Sequence, residues 1–256
     1  MNRALAFTER NIKELLRDPL SYIFCLGFPI LMLAVMSAVN ASIPKEAGMT
    51  VFRIDNLSGG IAVFGQTFVM LFTALTVSQD RSGSFLVRMY ASPMNSSDLV
   101  IGYSLPLLII ALGQALITYA ASFIISLITG VSLSLPGMIA SFFTLIPSAL
   151  MFTALGIIFG TLFNEKAAPG ICSLVISLGS FLGCIFFDAD STGGVLLTVC
   201  KCLPFYYCTR SARSAMALDF SSDAFIIPLV VVTASAVVFF AAASLAFRSK
   251  MRADLS

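Results

Sequence analysis

The chain alternates long uncharged stretches with short polar segments. Residues other than Asp, Glu, Lys and Arg fill five runs, 19–44, 56–79, 99–164, 167–187 and 224–247. A helix needs about 20 apolar residues to cross the hydrocarbon of a bilayer, and a charge at its centre is costly. The third run is too long for one crossing and contains the breaker segment GVSLSLPG, which predicts a helical hairpin. The pattern therefore predicts an all-α membrane protein with six spans, at about 20–41, 59–78, 101–129, 138–162, 168–187 and 224–247.

A helical periodicity precedes the first span. One face of this segment carries Ala4, Leu5, Thr8, Ile12, Leu15 and Leu16, and the other carries Arg3, Glu9, Arg10, Lys13, Glu14 and Arg17. The faces separate at about 3.6 residues per turn. We therefore predict an amphipathic helix over 1–18 that lies in the membrane interface and turns into the membrane at Asp18-Pro19. Phe7 falls off the apolar face, and the pattern assigns it no role.

Lysine and arginine predict the orientation, because they are enriched in the cytoplasmic segments of membrane proteins. An even number of spans puts both termini on one side, and that side holds ten of the fifteen basic residues. We expect both termini in the cytoplasm. The apolar segment 188–223 then faces outward.

Composition excludes several function classes. The chain is 58% hydrophobic and 11% charged, whereas a soluble domain carries about 25% charge. It has no histidine, which removes the usual zinc sites and any Ser-His or Cys-His pair. No lysine follows a glycine, so a Walker-type phosphate loop is absent and ATP would have to bind another chain. The net charge of +2 gives no argument for nucleic acid.

Three passages in order carry a family resemblance. The first is NIKELLRDP at 11–19, followed by Phe28-Pro29 within a span. The second is GSFLVRMYASP at 83–93 with DLVIG at 98–102, and the third combines Leu203-Pro204, Tyr207 and Arg213. Each falls in the corresponding loop of a six-span chain. Together they resemble the type-2 permeases of ATP-binding-cassette exporters, although Val87, Tyr103 and Arg210 depart from that family's pattern.

The resemblance implies a single transmembrane permease domain over 1–256 that has no enzyme activity of its own. It implies export of a hydrophobic or amphipathic compound, a second permease protomer in a homodimer or heterodimer, and a separate ATPase subunit that binds ATP and Mg. It also implies short re-entrant helices between spans five and six, with Pro204, Tyr207 and Arg213 at an outer gate. We expect the protein in a cell membrane, the plasma membrane of a bacterium, with lipid as its remaining partner.

The loop between spans two and three is the candidate ATPase-coupling element. Phe85 with Met89 and Leu86 with Tyr90 are i,i+4 pairs, which would give a short helix an apolar ridge while Arg81 and Arg88 stay solvated. In the family that the chain resembles, this segment and the N-terminal helix contact the ATPase. The alternative from the pattern alone is a helix that rests on lipid headgroups.

Polar residues on spans two and five are the candidate substrate pathway. On span five Ser173, Ser177 and Ser180 share a stripe, and on span two Gln66 and Thr73 lie opposite three phenylalanines, Phe64, Phe68 and Phe72. Polar groups avoid lipid, so we expect the polar faces to turn toward a dimer axis and the aromatic face toward lipid. The alternative is that these hydroxyls bond their own helix or join neighbouring helices.

Two rival functions stay open at the level of sequence. A secondary transporter would be expected to carry ionisable residues within its spans, and a membrane-embedded lipid-modifying enzyme would need clustered catalytic groups. The glycine pair Gly156 and Gly160 suits close helix packing, within one subunit or across a dimer. Cys200, Cys202 and Cys208 lie in the outward segment, where either one disulfide bridge or free thiols are expected.

Overall fold

The computed structural model describes residues 3–15, 17–19, 23–44, 50–83, 96–187 and 193–254. This part of the chain is built from helices and contains no strand. A π-helical turn at Ile23–Gly27 precedes the second helix, and another at Ser222–Ile226 precedes the last helix. The helices are α1 (Arg3–Leu15), α2 (Phe28–Ser42), α3 (Ile54–Ser82), α4 (Ser96–Thr129), α5 (Leu135–Leu162), α6 (Ala168–Leu182), α7 (Gly194–Lys201), α8 (Pro204–Met216) and α9 (Ile227–Asp254).

The all-α prediction is confirmed. Five helical segments of the described chain are long and apolar enough to cross a membrane: Ile23–Ser42, Ile54–Ser82, Asp98–Thr129, Leu135–Leu162 and Ser222–Lys250. Each corresponds to one predicted span. The remaining predicted span, 168–187, contains α6, whose 15 residues extend about 22 Å, less than the hydrocarbon thickness of about 30 Å. The chain leaves the helix at Gly183 and Cys184, and the φ of Cys184 is 57°. The six-span layout stays a prediction.

The breaker segment forms the predicted hairpin between α4 and α5. Gly130 follows the last residue of α4 and adopts a φ of 71°, which side-chain-bearing residues rarely adopt. Ser134 then caps α5, because its hydroxyl accepts a hydrogen bond from the Gly137 backbone N–H at 3.2 Å. Gly and Ser therefore supply the conformation and the cap that two long antiparallel helices need at their connection.

Helix α3 lies at the centre of the fold and packs most extensively against α5. A Cβ at Gly156 would lie 2.5 Å from the carbonyl oxygen of Met70, and one at Gly160 would lie 2.6 Å from that of Ala74. The two glycines thus let the backbones of α3 and α5 approach closely. The glycine pair therefore joins two helices of one chain, which is the first of the two packing roles expected for it.

The aromatic face of α3 is also covered within the protomer. Phe64, Phe68 and Phe72 are 5%, 9% and 8% exposed. The ring centroid of Phe28 in α2 lies 5.9 Å from that of Phe64 and 5.2 Å from that of Phe68. The expectation that these rings face lipid is therefore wrong in the protomer, because α2 and its preceding π-helical turn cover them.

Candidate functional site

A buried carboxylate joins three helices near the predicted coupling loop. Asp80, in the last turn of α3, accepts hydrogen bonds from both terminal nitrogens of Arg10 at 3.1 and 3.2 Å. It also accepts one from the Tyr103 hydroxyl of α4 at 2.7 Å. We call Arg10, Asp80 and Tyr103 the Asp80 cluster. Its charge-assisted hydrogen bonds connect α1 to the end of α3 and to the beginning of α4.

The surroundings of Arg10 favour its charged form. Burial lowers the pKa of its guanidinium, but the hydrogen bonds and the charge of Asp80 outweigh burial and raise that pKa above its ordinary value. A second carboxylate, that of Glu14, lies 2.7 Å from the guanidinium and is more exposed. The sequence pattern placed Arg10 on the charged face of α1, opposite the apolar face. The structure places it half-buried between two acids.

Helix α1 docks on protein through a face that the pattern defined only in part. Thr8 and Leu15 of the predicted apolar face are buried within the protein, and Phe7 and Asn11 are buried beside them. The Phe7 ring meets Tyr103 edge to face at a centroid distance of 4.9 Å, and Asn11 donates to the carbonyl oxygen of Gly102 at 3.1 Å. Protein contacts on α4 therefore set the rotation of α1. The sequence held one hint of this contact: Phe7 is an aromatic residue that lies outside the face predicted to meet lipid.

The end of α3 is held on its other side by Arg81. Its guanidinium donates to the carbonyl oxygens of Gly160 and Thr161 at the end of α5. These carbonyls have no partner within their own helix, so Arg81 caps α5. The expectation that Arg81 stays solvated is therefore wrong, because the end of α5 binds its guanidinium. The chain leaves α3 at Gly83, and the predicted coupling residues follow immediately. Those residues, Phe85, Leu86, Arg88, Met89 and Tyr90, lie outside the described part of the chain.

The pathway candidates of span two are packed inside the protomer. Gln66 is fully buried between α3 and α5, where it donates to the Leu145 carbonyl at 3.1 Å and accepts from the Ser148 hydroxyl at 2.6 Å. Thr73 is fully buried and donates to the Val69 carbonyl at 2.7 Å. Both residues match the alternative in which polar groups join neighbouring helices or bond their own helix.

The pathway candidates of span five lie on α6. Ser173 and Ser177 are exposed, and each hydroxyl donates to the carbonyl four residues earlier, at 2.8 and 2.9 Å. Ser180 is 6% exposed and donates to the Ile176 carbonyl at 2.6 Å. The structure therefore does not bring the five candidates onto one surface.

The outer-gate candidates lie on α8. Pro204 is its first residue, and the Tyr207 hydroxyl donates to the Lys201 carbonyl at 3.0 Å. Arg213 donates through Nε to the Asn56 carbonyl at 3.1 Å and through Nη2 to the Ile185 carbonyl at 2.9 Å. Arg213 thereby joins the beginning of α3, the segment after α6, and α8.

Helix α8 runs antiparallel to α5. At its end, the Ala212 carbonyl accepts from the Ser141 hydroxyl at 2.8 Å near the beginning of α5. At its beginning, the Phe205 ring stacks on Phe152 in the second half of α5, at a centroid distance of 5.7 Å. Helix α8 thus begins beside the second half of α5 and ends near the beginning of α5.

All six cysteines are free thiols, including Cys200, Cys202 and Cys208. Cys202 is exposed, and the other two of this group are buried. Of the two alternatives for these three residues, the structure shows free thiols.

Comparison with known families identifies the chain over most of its length. A family model described as ABC-2 type transporter matches residues 3–217. The matched range begins at α1, ends just after α8, and contains every residue of the Asp80 cluster. A comparison with curated proteins finds no match for this chain.

Proposed function

The chain belongs to the ABC-2 type transporter family, and we propose that it is the permease of an exporter that moves a hydrophobic or amphipathic compound out of the cytoplasm. As a member of that family it is a transport subunit in a membrane. The proposal adds the direction, the substrate class and the partners.

The Asp80 cluster carries the proposal. By family resemblance, an ATPase would contact α1 and the loop that begins after Gly83. Asp80 lies three residues before Gly83 and is bonded to Arg10 of α1 and Tyr103 of α4. A displacement of α1 or of the loop would therefore be passed to α3 and α4 through short, charge-assisted bonds rather than through a flexible connection.

Energy would come from a separate ATP-binding-cassette ATPase, which binds ATP and Mg. The missing phosphate loop supports this division of labour, since the chain has no Gly-Lys pair to hold a triphosphate. Both termini and the Asp80 cluster would lie in or next to the cytoplasm of a bacterial cell, where that ATPase is found.

A second permease protomer would complete the pathway along α6. The exposed face of α6 combines Ser173 and Ser177 with two leucines, Leu174, which is 60% exposed, and Leu178, which is 50% exposed. A helix shorter than the hydrocarbon thickness is accommodated by association with neighbouring helices or by local thinning of the bilayer. We place the pathway between two such faces, in a homodimer or a heterodimer. Gln66 then holds α3 against α5 behind it, and Thr73 bonds its own helix there.

Helices α7 and α8 would re-enter the membrane and close the outer end. The pairing of Phe205 with Phe152 supports this, because it places the beginning of α8 beside the second half of α5. Irregular backbone at such depth is tolerated where protein shields it. Pro204, Tyr207 and Arg213 are the proposed gate residues on this hairpin.

Transport in inside-out vesicles tests the proposal. The chain would be co-expressed with the ATP-binding-cassette ATPases of its source genome, and uptake of fluorescent amphipathic dyes would be followed. We expect uptake that requires ATP and persists when ionophores dissipate the ion gradients. Uptake that follows the ion gradients without ATP would instead indicate a secondary transporter.

A further inference from the structure

The connection between α8 and α9 leaves several large apolar side chains uncovered. We call residues 217–226 the α8–α9 turn. Within it, Leu218, Phe220 and Ile226 are 42%, 49% and 51% exposed. The Phe220 ring meets Phe225 edge to face at a centroid distance of 5.0 Å, so the two rings form one apolar surface. About half of each of the three exposed side chains thus has no cover within the protomer.

The exposed leucine occupies a strained backbone position. Helix α8 ends in a Schellman motif, because the Asp219 N–H donates to the Ser214 carbonyl at 2.9 Å. The second bond of that motif runs from the Leu218 N–H to the Ala215 carbonyl at 3.1 Å. Leu218 itself has a φ of 57°, a conformation that glycine adopts freely and that a side chain disfavours. An apolar environment outside the protomer would offset this cost, since the protomer itself covers only part of the leucine.

The length of the last membrane-spanning segment gives the depth of the turn in a bilayer. This segment, Ser222–Lys250, is long and apolar enough to cross a membrane. Arg248 is exposed near its end, and an arginine at the end of a span extends its charge into the headgroup layer. Ser222 lies 26 residues before Arg248, which corresponds to about 39 Å of helix. A bilayer with its headgroups is about 40–45 Å thick, so the α8–α9 turn reaches the headgroup layer of the opposite leaflet.

The charged residues of the turn suit the water side of such a layer. Asp219 and Asp223 are exposed, and the Asp219 carboxylate accepts a hydrogen bond from the Ser221 N–H at 3.1 Å. Between Arg213 and Arg248 the chain contains no lysine or arginine. The turn therefore combines aromatic and aliphatic side chains with carboxylates, which is the amphipathic composition of a segment at the boundary between headgroups and acyl chains.

We propose that the α8–α9 turn inserts into the headgroup layer of a phospholipid bilayer, with Leu218, Phe220 and Ile226 as its apolar contacts. Lipid is the occupant because the exposed apolar surface continues along α9, where Val230 and Val237 are exposed as well. The two carboxylates favour zwitterionic over anionic headgroups, since like charges repel. The proposal rests on the membrane location of the chain and not on the direction or substrate of transport.

Tryptophan fluorescence tests the proposal, since the chain contains no tryptophan and one substitution gives one signal. Phe220→Trp would be made in the full chain, in nanodiscs of phosphatidylcholine whose acyl chains carry bromine either near the headgroup or near the chain end. Bromine quenches a tryptophan that it contacts, and we expect the shallow bromines to quench Phe220→Trp about twofold or more strongly than the deep ones. Val237→Trp should show the opposite order, because Val237 is exposed and lies about 16 Å along α9 from Arg248.

An exposed position on the charged face of α1 provides the control for water. Glu9→Trp should be quenched by aqueous iodide and by neither brominated lipid. The proposal is overturned if Phe220→Trp behaves like Glu9→Trp, which places the turn in water, or if the deep bromines quench it more strongly. It is also overturned if neither bromine nor iodide quenches it, because protein then covers the turn. Gel filtration checks folding, and Ile226→Trp reports on the same surface with the same outcomes if Phe220→Trp does not fold.

Discussion

Replacing Asp80 with asparagine removes the charge on which three hydrogen bonds converge, while it keeps the shape of the side chain. In the wild type, Arg10 approaches both carboxylate oxygens and the Tyr103 hydroxyl approaches one of them. The asparagine side chain would offer one oxygen and one amide nitrogen, and the amide hydrogens repel the guanidinium donors. We therefore expect Asp80→Asn to loosen α1 from the ends of α3 and α4 without changing the membrane insertion of the long helices.

The structure sets the magnitude of this effect. A hydrogen bond to a charged group contributes about 1.5–3 kcal/mol, and breaking a buried pair costs about 3–5 kcal/mol. The Arg10 side chain is 34% exposed and keeps Glu14 as a partner at 2.7 Å, so the cost lies below that of breaking a fully buried pair and within the range for one hydrogen bond to a charged group. We expect about 2 kcal/mol of lost docking free energy, which corresponds to an about 30-fold increase in the population with α1 undocked.

Thiol labelling in membrane vesicles measures that population without a reversible unfolding experiment. A cysteine at Thr8, 7% exposed on the buried face of α1, would be the target in a background in which the six native cysteines are replaced. A water-soluble maleimide reaches this position when α1 opens, so the labelling rate follows the opening equilibrium when reclosing is fast. Asp80→Asn should raise this rate about 30-fold.

Two controls make the result specific. A cysteine at Glu9, which is exposed, should react at the same rate in both backgrounds. Glu14→Gln removes the more exposed acid beside Arg10, and loss of an exposed i,i+4 pair of about 0.3–0.5 kcal/mol should raise Thr8→Cys labelling only about twofold. Labelling of Thr8→Cys at the wild-type rate in Asp80→Asn would refute the role assigned to the Asp80 cluster.

Three further predictions concern the coupling loop, the core and the pathway. Phe85→Ala combined with Met89→Ala should abolish transport but retain membrane insertion, because truncating an interface anchor often costs about 2 kcal/mol or more; dye uptake and the yield of membrane-inserted protein measure the two effects. Gly156→Ala should destabilise the protein by about 1–3 kcal/mol, seen as a lower melting temperature in detergent, since the new Cβ meets backbone at 2.5 Å. Ser177→Cys should react with a water-soluble thiol reagent to an extent that changes with ATP when the ATPase is present.

Each of these has a matched comparison. Leucine at 85 and 89 should preserve more transport than alanine, and full transport in the alanine pair would return the loop to the headgroup-resting alternative. Gly113→Ala introduces a Cβ with nothing within 4 Å and should leave the melting temperature unchanged or slightly higher. Gln66→Cys should stay unlabelled because that position is fully buried between α3 and α5. Nucleotide-independent labelling of Ser177→Cys would contradict the placement of the pathway on α6.

Local signals in the sequence were sufficient for much of the fold. The hairpin between α4 and α5 was predictable because Gly130 and the segment up to Pro136 interrupt a run too long for one helix. The extent of α6 was not, since residues 183–187 are as apolar as those before them and only the backbone at Gly183 and Cys184 reveals the end of the helix. Hydropathy gives the solvent of a segment but not its conformation.

The functional sites depended on partners that a helical wheel does not identify. The wheel separated Gln66 from Phe64 correctly, but both faces of α3 are covered by other helices of the chain. Likewise, the pattern placed Arg10 opposite the apolar face of α1, while its partner Asp80 is 70 residues away in sequence. Such pairings follow from the packing of α1 beside α3 and α4, which no local pattern contains.

The central claim is that this chain is a permease driven by a separate ATPase, and ATP hydrolysis tests it most directly. The chain would be purified alone and together with ATP-binding-cassette ATPases from its source genome, and phosphate release from Mg-ATP would be measured for each preparation. We predict that the solitary chain hydrolyses no ATP, and that one ATPase co-purifies with it and hydrolyses ATP in the complex. Hydrolysis by the solitary chain, or failure of every such ATPase to bind it, would contradict the account.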